Sequence, residues 1–488
     1  MRSAMIRGVS PVGVDVEVGV SHGIPGVSIV GMPDASVLEA RSRVRCAMRA
    51  CGFSVPRLSV MVNLAPGDVR KGGTAFDLPI AVAILAATGQ LPAEGLGGCL
   101  VVGELALDGS VCPVRGAVAY AEFARRRGLV LVGPDSEGVE GVDFRPVSSL
   151  ADLREGVLAL PPARPAPHAD PPDAGAARLP DFGDVCDQEA AKRACVIAAA
   201  GGHGLLMVGP PGAGKTMIAR CLPSILPPLE GELRREALMA HSVVGEDVSA
   251  IAAGRRPFRM PHHSVSAAGL VGGDRPVRPG EATLAHGGVL FLDELPEFGR
   301  NALQALRQPM EEGEVRLVRA DGVYRMPSRF MLVAAANPCP CGNLGDPRRR
   351  CVCSEAAVER YRSKLTGPLV DRIDLQVEVA RPDPARLIGR SGDTGSAEMA
   401  ARVAEGRAFA SWRRSRGIGA SGEGPVASLG FERAALSLLE GVARNSAFGG
   451  RATVRVAQVA RTVADLAGHE LVGADDVAEA CFFRAGAR

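Results

Sequence analysis

Two hydrophobic periods alternate through the first 160 residues. Val12–Val20, Leu58–Leu64, Cys99–Val102 and Leu129–Val132 are short runs rich in apolar, β-branched residues, and they read as strands. Ala35–Cys51, Leu78–Thr88 and Gly116–Arg127 repeat their apolar positions at helical spacing. Together they predict an α/β domain over residues 1–160. Dense proline follows, from Leu160-Pro161-Pro162 through Pro171-Pro172. Proline at that density supports neither a helix nor a ladder, so 161–180 reads as an extended linker. Residues 181–380 return to apolar strand runs, Leu205–Val208, Val289–Glu294 and Phe330–Ala336, and predict a second α/β domain with a parallel sheet. Residues 381–488 are helical in pattern (Ala397–Trp412, Phe431–Arg444, Val454–Ala467, Ala474–Phe483), interrupted by a Gly/Ser-rich loop at Gly417–Ser428. No internal repeat is visible.

One strand-to-helix junction organises the rest. Gly209-Pro210-Pro211-Gly212-Ala213-Gly214-Lys215-Thr216 has the G-x-x-x-x-G-K-[ST] form, entered from the apolar run Leu205–Val208 and left through a helix at Met217–Cys221. Glycines let backbone N–H groups close on phosphates, and a helix N-terminus adds positive potential. Lys215 is placed to reach the β- and γ-phosphates, and the Thr216 hydroxyl to hold Mg²⁺. Of 56 Lys and Arg residues only Lys71, Lys192, Lys215 and Lys364 are lysine, so a chain that writes its cations as arginine keeps a compact ammonium here. The strand Val289–Glu294 ends in two acids: Asp293 is a Mg²⁺ ligand candidate and Glu294 a base for the attacking water. Asn337, at the end of a third strand, either hydrogen-bonds the γ-phosphate or water, or caps the following turn. Arg372 reads as an arginine supplied to a neighbouring subunit's nucleotide or as a surface ion pair.

Cys339-x-Cys341 and Cys351-x-Cys353 place four of twelve cysteines within fifteen residues. Such a quartet suits tetrahedral Zn²⁺; the other reading is a loop of reduced thiols, against which the clustering argues. The intervening Arg348-Arg349-Arg350 would be held at the tip. His262-His263 lies far from either cysteine pair and reads as a structural or pore-facing insert.

Composition narrows the remaining classes. A net charge of +2 excludes a strongly basic coat, so any nucleic-acid contact comes from local patches, multiplied by oligomerisation. One Trp and three Tyr leave no base-stacking platform. No apolar run has membrane-spanning length and no secretion signal is visible, so a cytoplasmic protein with thiols rather than disulfides is expected.

Phosphate loop, Asp-Glu strand, Asn-ending strand, Arg372 and helical end together resemble an AAA+ ATPase. Arg256-Pro-Phe-Arg-Met-Pro-His-His-Ser264, Pro279-Gly-Glu-Ala-Thr-Leu-Ala-His-Gly-Gly-Val-Leu-Phe-Leu-Asp-Glu-Leu-Pro-Glu-Phe298, Ala336-Asn-Pro-Cys-Pro-Cys-Gly342 and Ala460-Arg-Thr-Val-Ala-Asp-Leu466 narrow the resemblance to the magnesium-chelatase-like YifB/ComM family. The resemblance spans nearly the whole chain. It implies a P-loop AAA+ parallel-sheet core with a helical C-terminal lid, ATP and Mg²⁺ as cofactors, and a homo-hexameric ring. It further implies Glu294 as catalytic base, Asn337 as sensor 1, Arg372 as trans arginine finger and Arg451 as sensor 2, with Arg455 the second choice. Asp187 departs from the family, which commonly has Gly before Gln188.

In the first domain, Val62-Asn-Leu-Ala-Pro-Gly-Asp-Val-Arg-Lys-Gly-Gly-Thr-Ala-Phe-Asp-Leu-Pro79 and Gly103-Glu-Leu-Ala-Leu-Asp-Gly-Ser-Val-Cys-Pro-Val-Arg-Gly116 resemble a Lon-protease-type, S5-like domain. That protease needs a Ser activated by a Lys. Ala75 falls at the Ser position and Val118 at the Lys position, Thr74 points to the other side of its turn, and Lys71 stands alone. A binding or assembly domain without peptidase chemistry is expected. The leading expectation is an ATP-driven ring translocase or helicase on DNA, since relatives of the ComM kind are linked to branch migration in recombination and transformation. Arg255–Gly273 and Arg348–Arg350 are the candidate DNA or pore loops. A metal-insertion motor like the magnesium chelatase ATPase is the alternative, although that subunit lacks the Lon-like domain. A Lon-like protease and a passive scaffold are disfavoured by Ala75 with Val118 and by the complete ATPase set.

Overall fold

Strand β2 (Ser10–Ser21) buries Val14 and Val16 and exposes Asp15 and Glu17, the alternation of a half-covered sheet. It pairs antiparallel with β1 (Arg2–Arg7) and β4 (Ser59–Ala65). With β3 (Gly26–Val30), β5 (Cys99–Val101), β8 (Val130–Gly133) and β9 (Phe144–Pro146) they form a sheet of order β3-β4-β2-β1-β5-β8-β9. A small ribbon, β6 (Glu104–Leu105) with β7 (Val111–Cys112), projects from it. The molecule is known from a computed structural model that describes residues 1–136, 139–163, 180–346, 349–365, 369–383, 394–419, 426–445 and 449–485. Arg348, most of the 161–180 linker and residues 420–425 of the Gly/Ser-rich loop lie outside the described residues.

Helix α1 (Ala35–Ala50) starts at Asp34, whose carboxylate accepts from the Val37 N–H, and lays Val37, Ala40, Val44, Ala47 and Met48 on the sheet. Helix α2 (Asp77–Ala87) is apolar all round and sits inside the domain. Its one buried acid, Asp77, is held by Arg43 at 2.6 Å. Sequence periodicity located these elements to within a few residues; β1 and β3 were not anticipated.

A second, all-parallel sheet has the order β11-β12-β15-β10-β16, from Phe258–Arg259, Val289–Leu292, Met331–Ala336, Leu205–Val208 and Leu375–Glu378. Its central strands are buried from end to end, which is why they read as continuous apolar runs. In register Val208 lies beside Ala336, and Leu292 beside Ala334. Phosphate loop, Asp293 and Asn337 therefore leave three neighbouring strands at one carboxyl edge. An antiparallel ribbon of β13 (Glu314–Arg319) and β14 (Gly322–Pro327) projects between β12 and β15 in sequence.

The two sheets are joined by helix α3 (Ala117–Arg127) packing on α6 (Gly231–Val244), with the Gly116 N–H donating to Ser242 O at 2.9 Å. Val118 is buried in that contact, among Leu238 and Met239. On the far side of β1, Arg7 donates to Asp321 O at 2.6 Å and covers the Tyr324 ring at the tip of the β13–β14 ribbon. Beyond the second sheet, the described residues form helices Ser396–Ser415, Arg433–Asn445, Gly450–Ala467 and Ala474–Ala485. Arg413 and Arg461, both fully buried, share the Asp465 carboxylate at 2.8 and 3.0 Å. No helix among the described residues is long and apolar enough to cross a membrane.

Candidate nucleotide-binding site

The phosphate loop runs from β10 into α5 (Lys215–Cys221), with Gly212 and Gly214 at φ 79 and 91, a left-handed backbone that L side chains avoid. The Lys215 ammonium donates to Gly209 O at 2.5 Å, Pro210 O at 3.1 Å and Asn337 Oδ1 at 3.1 Å. Burial pulls its pKa down to about 8, while Asp293 and Glu294 pull the other way. Thr216 Oγ1 donates to Asp293 Oδ2 at 2.8 Å, so two oxygens suited to one Mg²⁺ already meet. Strand β12 stops at Leu292, immediately before Asp293. Glu294 takes a left-handed backbone (φ 53) and is half exposed, with Nδ1 of His263 3.8 Å from Oε2. The His262 and His263 rings lie 4.0 Å apart, and through His263 the pair borders Glu294.

Asp187 also has a positive φ, 59, and its Oδ2 accepts from the Asp383 N–H. That conformation explains why glycine suits the position, and Asp is among the residues that tolerate it best. Gln188 beside it donates to Ala380 O at 2.7 Å.

The four thiols of Cys339, Cys341, Cys351 and Cys353 come together, all four sulfurs lying within 4.8 Å of one another. The separations 339–341, 339–351 and 341–351 are 3.5, 3.7 and 3.6 Å. A tetrahedron with Zn–S bonds of about 2.3 Å has edges of about 3.8 Å, so this donor set fits Zn²⁺ without rearrangement. N–H groups of Val352 and Asn343 bring the Cys341 pKa down to about 6, while desolvation and thiol–thiol hydrogen bonds push Cys351 and Cys353 up, so one sulfur of the four is favoured as thiolate.

Arg372 is buried and paired with Glu311 of its own chain, Nε to Oε1 3.0 Å. With Arg451 and Arg455 it lines a cleft of about 1110 Å³ that no phosphate-loop residue enters. Arg455 there binds Asp374 Oδ1 at 2.8 Å, and Asp374 Oδ2 accepts from the Gly204 N–H at the start of β10. Arg451 adds positive charge near Glu311. The structure thus groups the candidate finger with both candidate sensor arginines in a cleft that the chain's own loop does not line. Glu311 carried no signal in the sequence.

The ribbon β13–β14 was also silent. Its buried face pairs Val315 with Met326 and Leu317 with Tyr324; its exposed face pairs Arg316 with Arg325 and Val318 with Val323. Like charges directly opposite on a ladder are destabilising. Glu314, 3.8 Å from Arg325, offsets only part of that. In the first domain, Lys71 is fully buried on Pro66 O, Thr74 binds Glu104, and Val118 is covered by α6. None of these residues faces another as a nucleophile–base pair.

Three descriptions of magnesium chelatase match the chain: "Subunit ChlI of Mg-chelatase" over 16–135, "Magnesium chelatase, subunit ChlI" over 181–387, and "Magnesium chelatase, subunit ChlI C-terminal" over 393–484. An uncharacterised protein of Mycobacterium tuberculosis is 41% identical across 100% of this chain and 98% of its own length. YifB of Escherichia coli K12, also uncharacterised, is 39% identical across 98% of this chain and 95% of its own. The competence protein ComM of Haemophilus influenzae is 38% identical across 97% and 95%.

Proposed function

Since the chain belongs to the YifB/ComM family of magnesium-chelatase-like AAA+ proteins, we propose that it hydrolyses ATP in a homo-hexameric ring and uses the motion to drive DNA. The convergence of Lys215, Thr216, Asp293, Glu294 and Asn337 on one sheet edge carries this reading. Lys215 exchanges the Gly209 and Pro210 carbonyls for the β- and γ-phosphates, while Asn337 keeps its hold on the ammonium or turns its amide to the attacking water. Thr216 and Asp293 hold Mg²⁺, which would neutralise charge on the phosphates. Glu294 orients the water and takes its proton. Arg372, released from Glu311, and Arg451 beside it bring positive charge to the neighbouring subunit's γ-phosphate, since neither faces its own loop. Cys339, Cys341, Cys351 and Cys353 hold a structural Zn²⁺.

Support for DNA comes from the exposed Arg316–Arg325 pair flanking Val318 and Val323, an arrangement whose self-repulsion a phosphate backbone relieves. ATPase rate with and without single-stranded, duplex and forked DNA tests the reading, compared with Arg316→Ala/Arg325→Ala. DNA should stimulate the native protein, and the double variant should lose that stimulation while keeping its basal rate. A second reading, a metal-insertion motor, has the matches to magnesium chelatase subunit ChlI in its favour, including one over residues 16–135 of the first domain, against the expectation that such a subunit lacks it. A native ATPase indifferent to all three DNAs would shift the balance to it.

A further inference from the structure

Cysteine quartet and phosphate loop are not independent features of the surface. Asn337 lies two residues before Cys339, at the mouth of the turn that carries the first cysteine pair. Gly342 closes that turn, with its N–H donating to Cys339 O at 2.9 Å and φ 76. The side of Gly342 where a Cβ would project is filled by the Pro211 ring of the phosphate loop: an added methyl group would overlap Cδ and Cγ of that ring. The second cysteine pair pins the same turn from behind, since the Cys341 N–H donates to Cys353 Sγ at 3.4 Å. The sequence then enters helix Glu355–Lys364, whose buried Tyr361 lies close to the Asn337 backbone. Residues 337–342 are thus held between four sulfurs on one side and the nucleotide loop on the other.

We propose that the cysteine-bearing turn is a positioning element of the nucleotide site, in which metal bound by the four thiols sets Pro211 and Asn337 against the phosphates. This rests on reading the loop as an ATP site and the quartet as a metal site. Its physical basis is stiffness. A four-cysteine metal site fixes two short segments that no helix or strand supports, and supporting contacts of this kind govern the aim of the groups they touch. Without the metal the 338–342 turn is a proline- and glycine-containing loop, and the contact on Pro211 and the approach of Asn337 to Lys215 lose their backing.

The test uses the full chain and three readouts: zinc per chain by elemental analysis, Kd for a fluorescent ATP analogue, and kcat. Cys341→Ser should lose the metal and weaken nucleotide binding about tenfold or more, with far-UV circular dichroism unchanged. Gly342→Ala should keep its metal and still weaken binding by a similar factor. Adding Pro211→Ala, which removes the overlapped ring atoms, should recover most of that loss relative to Pro211→Ala alone, the remainder being the strain of an alanine at the left-handed φ of position 342. A general fault in folding would not be relieved by a second truncation at that one ring. Metal loss in Cys341→Ser with unchanged Kd and kcat would overturn the positioning role while leaving both sites standing. A native protein without metal would overturn the quartet reading, and one that binds metal but no nucleotide would overturn the ATP reading.

Discussion

Lys215 and Asn337, 122 positions apart, are joined by a 3.1 Å hydrogen bond from the ammonium to the amide oxygen. The bond ties the phosphate loop to the strand that separates it from Asp293 and that leads into the cysteine-bearing turn.

Glu294 sits at the end of this edge on a strained, left-handed backbone that the Asp293 carboxylate supports through the Glu294 N–H at 3.0 Å. Glu294→Gln should bind ATP as the native protein does and turn over at least about 100-fold more slowly. Steady-state phosphate release and nucleotide affinity, measured together, decide this; hydrolysis at the native rate would remove Glu294 from its role.

Burial lowers the Lys215 pKa to about 8 because the charged form is the one that loses hydration. Phosphate binds the charged form, whose fraction falls as pH rises through that value. The Kd for ATP should therefore rise roughly tenfold between about pH 7 and about pH 9. Lys215→Arg, whose guanidinium keeps its proton, should show no such slope; a flat profile in the native protein is the outcome that counts against this account.

If Arg372 and the phosphate loop act across an interface, a ring can be complemented. Lys215→Ala and Arg372→Ala subunits should each be inactive alone, and their mixture should recover part of the hydrolysis, since some interfaces pair an intact loop with an intact arginine. Mixed rings that form and hydrolyse nothing, or full activity of Arg372→Ala alone, would reduce Arg372 to contacts within its own chain, the Glu311 ion pair among them.

Two fully buried guanidiniums, Arg413 and Arg461, share the single carboxylate of Asp465. Asp465→Asn strands both and should cost about 3–5 kcal/mol of stability. Glu398→Gln, which breaks an exposed pair with Arg402 one helical turn away, should cost no more than about 0.5 kcal/mol. Denaturant titration of the two variants measures the difference.

Pattern and motif were enough to locate both α/β segments, the helical end, the phosphate loop and the acids at the end of β12, because each is a local signal: a period of 2 or 3.6, or residue types at fixed spacing. The cysteine quartet was legible for the same reason. Boundaries at functional points were less so. The strand before Asp293 stops at Leu292 with its apolar run, two residues short of the Val289–Glu294 strand read from the sequence, and Glu294 takes a left-handed backbone. His262-His263 gave no hint of its place beside Glu294, because the distance between them is created by the pairing of β11 with β12.

From residue types in order, then, the chain determines its alternation of strands and helices, the chemistry available at Gly209–Thr216, Asp293, Glu294 and Asn337, and the four thiols between 339 and 353. Only tertiary structure decides which of these groups meet. It buries Arg372 on Glu311, gathers Arg451 and Arg455 into the same cleft, sets Arg316 opposite Arg325, and rests Gly342 on the Pro211 ring. The physical reason is that hydrophobic period and backbone propensity act over a few residues, whereas sheet order and register are settled by burial of whole faces. Charges and small residues that ride on those faces acquire their partners as a consequence of that burial.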